Sequence, residues 1–432
     1  MFSTVLVANR GEIALRVVRT CRELGIRVAV AYSTVDRDSA AIRLADQAIC
    51  VGPAPAKHGY LSIPAIIEAA RACGADAIHP GYGFLSENPD FAEVCADHGM
   101  TFIGAPPEVM RRLGDKSAAK AMMAAGGLPL LPGTAGPVST AQEAHRRASE
   151  IGYPLMIKAT AGGGGRGIRV VRDATELNRI YQQTTATAKA TFGDGLVYLE
   201  RFLPTARHVE VQVLCDGHGN VVHLGERDCS VQRRHQKLIE ESPAPNVPAG
   251  LAEKLSAAAV EGARVAGYVG VGTFEFLVDT AGQFYFMEVN ARIQVEHPVT
   301  EVVTGIDLVR EQLRIAAGER LEFSQNEVRP SGTAIECRVN LEDPTRDFMP
   351  RPGHVEEFVP PGGPFVRVDT HGFTGYRMPP CYDSLLAKVI VWAPDRAGAR
   401  SRMRRALDEF RIAGPGIATT IPFLHRVLKH PQ

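Results

Sequence analysis

The first 112 residues alternate short β-branched runs with amphipathic helical patterns, and few folds satisfy that alternation. The runs TVLVA, IRVAVAY, ADAIHPG and MTFIG are separated by patterns such as GEIALRVVRTCRELG and IPAIIEAARACG. Strands joined through helices pair in parallel, so a parallel sheet with helices on both faces is expected. In the first helix Ala14, Val17, Val18, Cys21 and Leu24 fall on one stripe, and Gly25 follows as a stop. Asp36 lies just past the second strand, where a dinucleotide-binding fold keeps its ribose acid. The first turn, however, reads ANRGEIA and not G-x-G-x-x-G, so the unit is expected to be Rossmann-like without binding NAD.

After Leu113 the pattern changes to longer strands with hairpins: YPLMIKAT, GLVYLERF, HVEVQVLCDG, NVVHLGERD, VGTFEFLVD and QFYFMEVNAR, with helices near 175–190 and 251–267. An α+β unit with antiparallel sheets is expected over 113–327, and a small β-rich part over 328–432 that ends in a helix near 396–410. Several units suit a chain of 432 residues, which exceeds what one core supports. Lys plus Arg equals Asp plus Glu at 48 each, which excludes a bulk field for nucleic acid or an anionic membrane, so any affinity for phosphate must be local. The apolar run before Arg10 is too short for a signal-peptide core and no later segment approaches a membrane span, so a cytoplasmic location is expected. The eight cysteines show no metal-finger spacing and read as reduced, mostly buried thiols.

Four segments carry chemistry. In KATAGGGGRGIRVV, Lys158 precedes a glycine run joining two strands, suited to a hairpin lid whose N–H groups wrap phosphate; the run lacks the Lys-Ser/Thr of a Walker loop. In EFLVDTAGQFYFMEVNARIQVEH, two strands flank a DTAG turn and bring Glu275 and Glu288 within a diagonal step of each other. Paired carboxylates repel unless a cation lies between them, and Mg²⁺ is the hard ion that takes such ligands together with phosphate oxygens. Beyond Glu288, the polar residues Asn290, Arg292, Gln294 and Glu296 recur with period two, as on one face of an extended strand running from metal to cation to base. Finally, Arg233, Arg234, His235 and Lys237 cluster in an otherwise neutral chain and suit transferring charge.

With ANRGEIA at 8–14, HPGYGFLSEN at 79–88, GGGGRG at 162–167, RDCSVQRRHQK at 227–237, NARIQVEHPVTE at 290–301, ECRVN at 336–340 and YDSLLAK at 382–388, the chain resembles the biotin carboxylase family of the ATP-grasp superfamily. The resemblance implies an ATP-grasp domain at 113–327 with a lid over about 131–204, and a C-terminal biotin carboxylase domain at 328–432. It implies that Lys116 and Lys158 bind ATP phosphates, that Gly164 and Gly165 close over them, and that Glu200, Arg201, Phe202 and Leu203 meet the adenine, with His208, Gln232 and His235 as further nucleotide contacts. Glu275, Glu288 and Asn290 would hold Mg²⁺, or Mn²⁺ in its place. Lys237, Arg292, Gln294 and the Val295 backbone would hold bicarbonate, Glu296 would be the base, and Arg338 the biotin-facing cation.

The implied reaction is ATP-dependent carboxylation of biotin through carboxyphosphate, as part of a biotin-dependent carboxylase, with acetyl-CoA carboxylase the expected parent. The implied partners are a biotin carboxyl carrier protein, a carboxyltransferase and a second copy of the chain. Biotin is expected in trans, since no Met-Lys-Met turn occurs. Ala291 and Cys381 depart from residues common in the family, and the chain stops at HPQ, where relatives usually continue. Two competing readings remain: an ATP-grasp ligase acting on an amine, which biotin-dependent ATP hydrolysis would exclude, and a nucleotide-sensing module, which would need a missing base or metal ligand.

Overall fold

The computed structural model describes residues 1–134, 136–160 and 167–430. Thr4–Val7 is buried at every position, as a central parallel strand covered on both faces must be. It pairs in parallel with Arg27–Ser33 and with Ala77–His79, and Gln47–Gly52 and Thr101–Phe102 form the edges of a five-stranded sheet. The helix Gly11–Glu23 buries Ala14, Val17, Val18 and Cys21 with Leu24 packed beside them, and the chain leaves it through Gly25 at φ 72°.

The strand order reverses beside Thr4–Val7, which opens a crevice at the carboxyl ends of Thr4–Val7 and Ala77–His79. Two of the motifs supply its rim. Asn9 donates from Nδ2 to the carbonyls of Pro80 at 2.6 Å and Tyr82 at 2.8 Å, locking the two loops together. Gly81 allows this approach: it sits at φ 62°, and a Cβ there would stand 2.9 Å from Asn9 Nδ2. Asp36 is no ribose acid. It is buried and receives two hydrogen bonds from Arg10, at 2.9 and 2.8 Å, and one from Tyr60 at 2.8 Å.

Residues following Leu131 form a small α/β unit in which Leu155–Ala159 pairs antiparallel with Ile168–Val171 and Val197–Arg201, against helices Ala141–Ile151 and Ala174–Phe192. It has its own core of Val138, Leu155, Ile157, Leu177 and Leu199. The expected lid glycines Gly164 and Gly165 lie outside the described residues.

The main sheet has eight antiparallel strands in the order Phe284–Asn290, Gly270–Asp279, Ala206–Cys215, Val221–Arg233, Gln236–Ser242, Thr333–Asn340, Leu385–Ala393 and Val366–Thr370. Its last three strands come from the C-terminal segment, which therefore extends the central sheet and adds helices Arg396–Glu409 and Ile421–Lys429. The second of these helices lies beyond the helix near 396–410 at which the sequence pattern ends the chain's regular structure. Among the described residues no helix is long and apolar enough to cross a membrane.

Candidate active site

One cavity of about 1310 Å³ lies between the crevice of the parallel sheet, the small α/β unit and the eight-stranded sheet. At one end Lys158, on the strand Leu155–Ala159, and Lys120, on the helix Lys116–Ala125, both bond the buried carboxylate of Glu200. Burial alone would raise the Glu200 pKa, but the two ammonium groups outweigh it and hold the group ionised below its ordinary value. Lys116 lines the same wall one helical turn before Lys120. Lys120 was not singled out in the sequence, although its spacing from Lys116 puts the two on one helix face.

Phe202 and Leu203 line this end. The Arg201 side chain does not. Strand alternation turns it away, and its Nη1 donates to the Ile151 carbonyl at 2.7 Å.

The middle of the cavity is acidic. Glu275 and Glu288 are direct cross-strand partners, because one extra residue, Met287, separates that pair from Phe276 opposite Phe286. This bulge puts the carboxylates on the cavity side while Phe274, Phe276 and Phe286 pack together beneath. Glu275 Oε1 accepts from Lys237 Nζ, Asn290 Nδ2 and Gln294 Nε2, each at 2.9 Å, and His208 Nε2 stands 2.9 Å from Oε2. Gln232 donates to His208 Nδ1 at 2.8 Å, which assigns the ring proton to the Nε2 facing Glu275. Despite burial, Lys237 and His208 hold the Glu275 pKa far below the ordinary range. Glu288 opens into the cavity, and confinement by its walls together with the Glu275 charge raises its pKa. A carboxylate raised by a like charge, beside an ionised partner and an amide, fits a hard divalent cation. Two tighter groups of potential ligands occur among the described residues, His208–Glu210–Glu275 and Glu210–Cys229–Glu296, and Lys237 and Arg227 already neutralise them.

The polar row does not continue as a strand. The strand ends at Asn290, and Glu296 is the N-cap residue of the helix His297–Thr304 at φ −81° and ψ 5°. The same residues converge by folding back. Lys237 Nζ lies 2.6 Å from Glu210, 2.9 Å from Glu275 and 2.5 Å from Glu296, and these charges raise its pKa well above the usual value against the opposing cost of burial. Arg338 Nη2 reaches the other oxygen of Glu296 at 2.8 Å. Arg292 donates to Glu87 at 3.0 Å and to Asn290 Oδ1 at 2.9 Å. The Val295 carbonyl accepts from Lys388 at 2.8 Å, so the backbone group it can offer an anion is its N–H. Beneath them the fully buried Arg227 ties Glu210, Gln212, Thr300 and Gln294 into one network, at 2.6 to 3.1 Å. Neither Glu210 nor Gln212 lies in a segment that motif or charge marks, yet HVEVQV alternates them with His208 on one face.

Of the basic cluster, His235 and Lys237 reach the cavity and Arg233 and Arg234 do not. Arg234 and His235, at φ 48° and 65°, make the turn between Val221–Arg233 and Gln236–Ser242, and both arginines leave the site to bond Asp347.

Three family models match the chain in order: "Biotin carboxylase, N-terminal domain" over residues 1–110, "Carbamoyl-phosphate synthase L chain, ATP binding domain" over 115–324, and "Biotin carboxylase C-terminal domain" over 336–432. The biotin carboxylase of Nostoc sp. is 55% identical over 431 residues, covering 100% of this chain and 96% of that one. The Campylobacter jejuni biotin carboxylase in a "beta-gamma-ATP" complex superposes with TM-score 0.96 at 47% identity, covering 100% of this chain and 96% of the other. The biotin carboxylase domain of the Hydrogenobacter thermophilus 2-oxoglutarate carboxylase, a dimer with MgADP, ADP and bicarbonate, superposes with TM-score 0.94 at 48% identity, covering 100% and 94%. Matched from end to end by relatives of one kind, and folded as they are, the chain belongs to the biotin carboxylase family of ATP-dependent ligases.

Proposed function

We propose that the chain carries out the first half-reaction of a biotin-dependent carboxylase, in which ATP and bicarbonate carboxylate N1 of carrier-borne biotin through carboxyphosphate. The observation that carries this reading is the placement of Glu296, one oxygen on Lys237 and the other on Arg338, in the cavity that also holds Lys116, Lys158 and the Glu275–Glu288 pair. Lys116, Lys120 and Lys158 meet the phosphates, and Phe202 and Leu203 meet the adenine. Glu275, Glu288 and Asn290 hold Mg²⁺, which when bound supplies positive charge against the phosphate oxygens.

Glu296 is a poor base while two cations hold it, and its pKa lies well below the ordinary range although burial opposes this. Bicarbonate changes that balance, because an anion bound by Lys237, Arg292, Gln294 and the Val295 N–H takes over part of the cations' bonding. Glu296 then accepts the bicarbonate proton as the bicarbonate oxygen attacks the γ-phosphorus and ADP leaves. Carboxyphosphate breaks its C–O bond to give CO₂ and phosphate in a water-excluding cavity. Phosphate takes the biotin N1 proton, Arg338 stabilises the ureido oxyanion, and N1 attacks CO₂.

We infer further a cytoplasmic homodimer working with a carrier protein and a carboxyltransferase, in an acetyl-CoA carboxylase. The acceptor is chosen outside this cavity, since a closely similar domain serves a 2-oxoglutarate carboxylase. The test is ATP hydrolysis that requires bicarbonate and Mg²⁺ and rises with free biotin; equal rates with and without bicarbonate would overturn the mechanism. Supplying the co-purified carboxyltransferase with acetyl-CoA, pyruvate or 2-oxoglutarate then reads the acceptor.

A further inference from the structure

Behind the cavity lie two glutamates that the reaction above does not use. Glu240 on Gln236–Ser242 and Glu336 on Thr333–Asn340 are direct partners across antiparallel strands, and both are fully buried. Arg338 follows Glu336 by two residues and so stands diagonally across the ladder from Glu240. Its Nε donates to Glu240 Oε1 at 2.6 Å while its Nη2 donates to Glu296 at 2.8 Å. One guanidinium therefore bridges the catalytic carboxylate and a second carboxylate on the side away from substrate. Both Glu336 oxygens and Glu240 Oε2 are buried without hydrogen-bond partners. Two carboxylates facing each other across a ladder resist ionising together, although Lys388 and Arg338 both stand near Glu336 and Arg338 and Lys237 near Glu240. Burial pushes Glu240 up to about 7 against the pull of Arg338, and Glu336 well above the carboxylate range, so Glu240, which the guanidinium bonds directly, is the more readily ionised of the two and the one placed to answer Arg338.

We propose that Glu240 is a positioning residue, which keeps Arg338 paired and aimed into the cavity during the interval when Glu296 is protonated. The inference rests on the roles given above to Glu296 and Arg338. Once Glu296 takes the bicarbonate proton it no longer neutralises Arg338, and a buried cation stripped of its counter-ion is strongly disfavoured. Glu240 supplies the counter-ion that stays. Arg338 then has no drive to swing toward another carboxylate, and its Nη edge remains available to the ureido oxyanion, which forms only in that interval.

The experiment compares Glu240→Gln and Glu240→Ala with the parent enzyme in two assays, bicarbonate-dependent ATP hydrolysis without biotin and carboxylation of free biotin, with kcat and KM for biotin separated. Glu240→Ala is expected to lower biotin carboxylation by roughly ten- to hundred-fold, the scale for outer partners that orient a site's ligands. The loss falls mainly on kcat, with a smaller fall in biotin-free hydrolysis. Glu240→Gln keeps the shape and an oxygen for Nε, and is expected to restore part of the loss. In an Arg338→Ala background, Glu240→Gln should add little, since it acts through the missing guanidinium. Equal losses in both assays, or losses that multiply in the double variant, would show a general structural role and overturn the proposal. If Arg338→Ala itself spares biotin carboxylation, the role given to Arg338 falls; if it abolishes carboxylation and the Glu240 variants do not, only the present inference falls.

Discussion

Glu296 carries the heaviest demand in the proposed mechanism: its charge tethers two cations, and in that mechanism it must then accept a proton. Glu296→Gln keeps the shape but cannot take a proton, so turnover is expected to drop by about 10²- to 10⁴-fold with the nucleotide KM little changed. Bicarbonate-dependent ADP release checks it, and a near-normal rate would move the base elsewhere. Asp36 makes the opposite case. Its sequence position suggested a ligand acid, while its buried pairing with Arg10 makes it structural. Asp36→Asn is expected to cost about 3 kcal/mol of stability without altering ATP affinity. Arg10 and the neighbouring hydroxyls outweigh burial and hold Asp36 below its unfolded value. Its stabilisation is therefore complete above about pH 4 and fades as pH falls through the folded value. The stability gap between parent and variant, measured by urea unfolding, should narrow on acidification. Residues in contiguous motifs, such as Lys237 and Glu296, were legible from the chain. The tasks of Glu87 and Lys388, although both fall inside matched motifs, and the partner of Lys120 were not, because each acts on a group from 80 to 205 residues away that only folding brings near.

At the scale of elements, the hairpin with the metal-ligand candidates was readable from alternation and its turn, but the bulge at Met287 was not. A single extra residue reverses which side chains share a face, and no composition signal marks it. The row from Asn290 to Glu296 has strand periodicity, yet the strand ends at Asn290 and Glu296 already caps the helix His297–Thr304, which Pro298 opens in its first turn. The periodicity thus picked residues that do line one cavity, but by a geometry the chain does not adopt. Helix Ala249–Ala266 lies tightly on the hairpin: a Cβ at Gly262 would stand 2.6 Å from the Phe274 ring and 3.0 Å from Met123 Sδ. Gly262→Val is expected to destabilise by about 1–3 kcal/mol through overpacking. Denaturant unfolding measures this, and an unchanged midpoint would mean that the helix yields freely.

At the scale of the whole molecule, the edge strand Val366–Thr370 leaves Phe365 60% exposed beside Trp392, next to a shallow cavity of about 350 Å³ lined by Val302, Val366 and Ile390. This apolar edge supports the homodimer reading, and Phe365→Arg is expected to shift sedimentation from dimer toward monomer. The most far-reaching feature is the ladder between Gln236–Ser242 and Thr333–Asn340, which crosses from the second family segment to the third. A fragment ending at residue 327 would lose that partner and present an open row of backbone donors and acceptors, with Glu240 deprived of Arg338. Such a fragment is expected to run as aggregates on size exclusion. The segments that sequence matching delimits are therefore not interchangeable cassettes. A chimaera that imports another carboxylase's C-terminal third inherits a seam through the middle of a sheet, and its success depends on matching strand register and the buried charges across that seam.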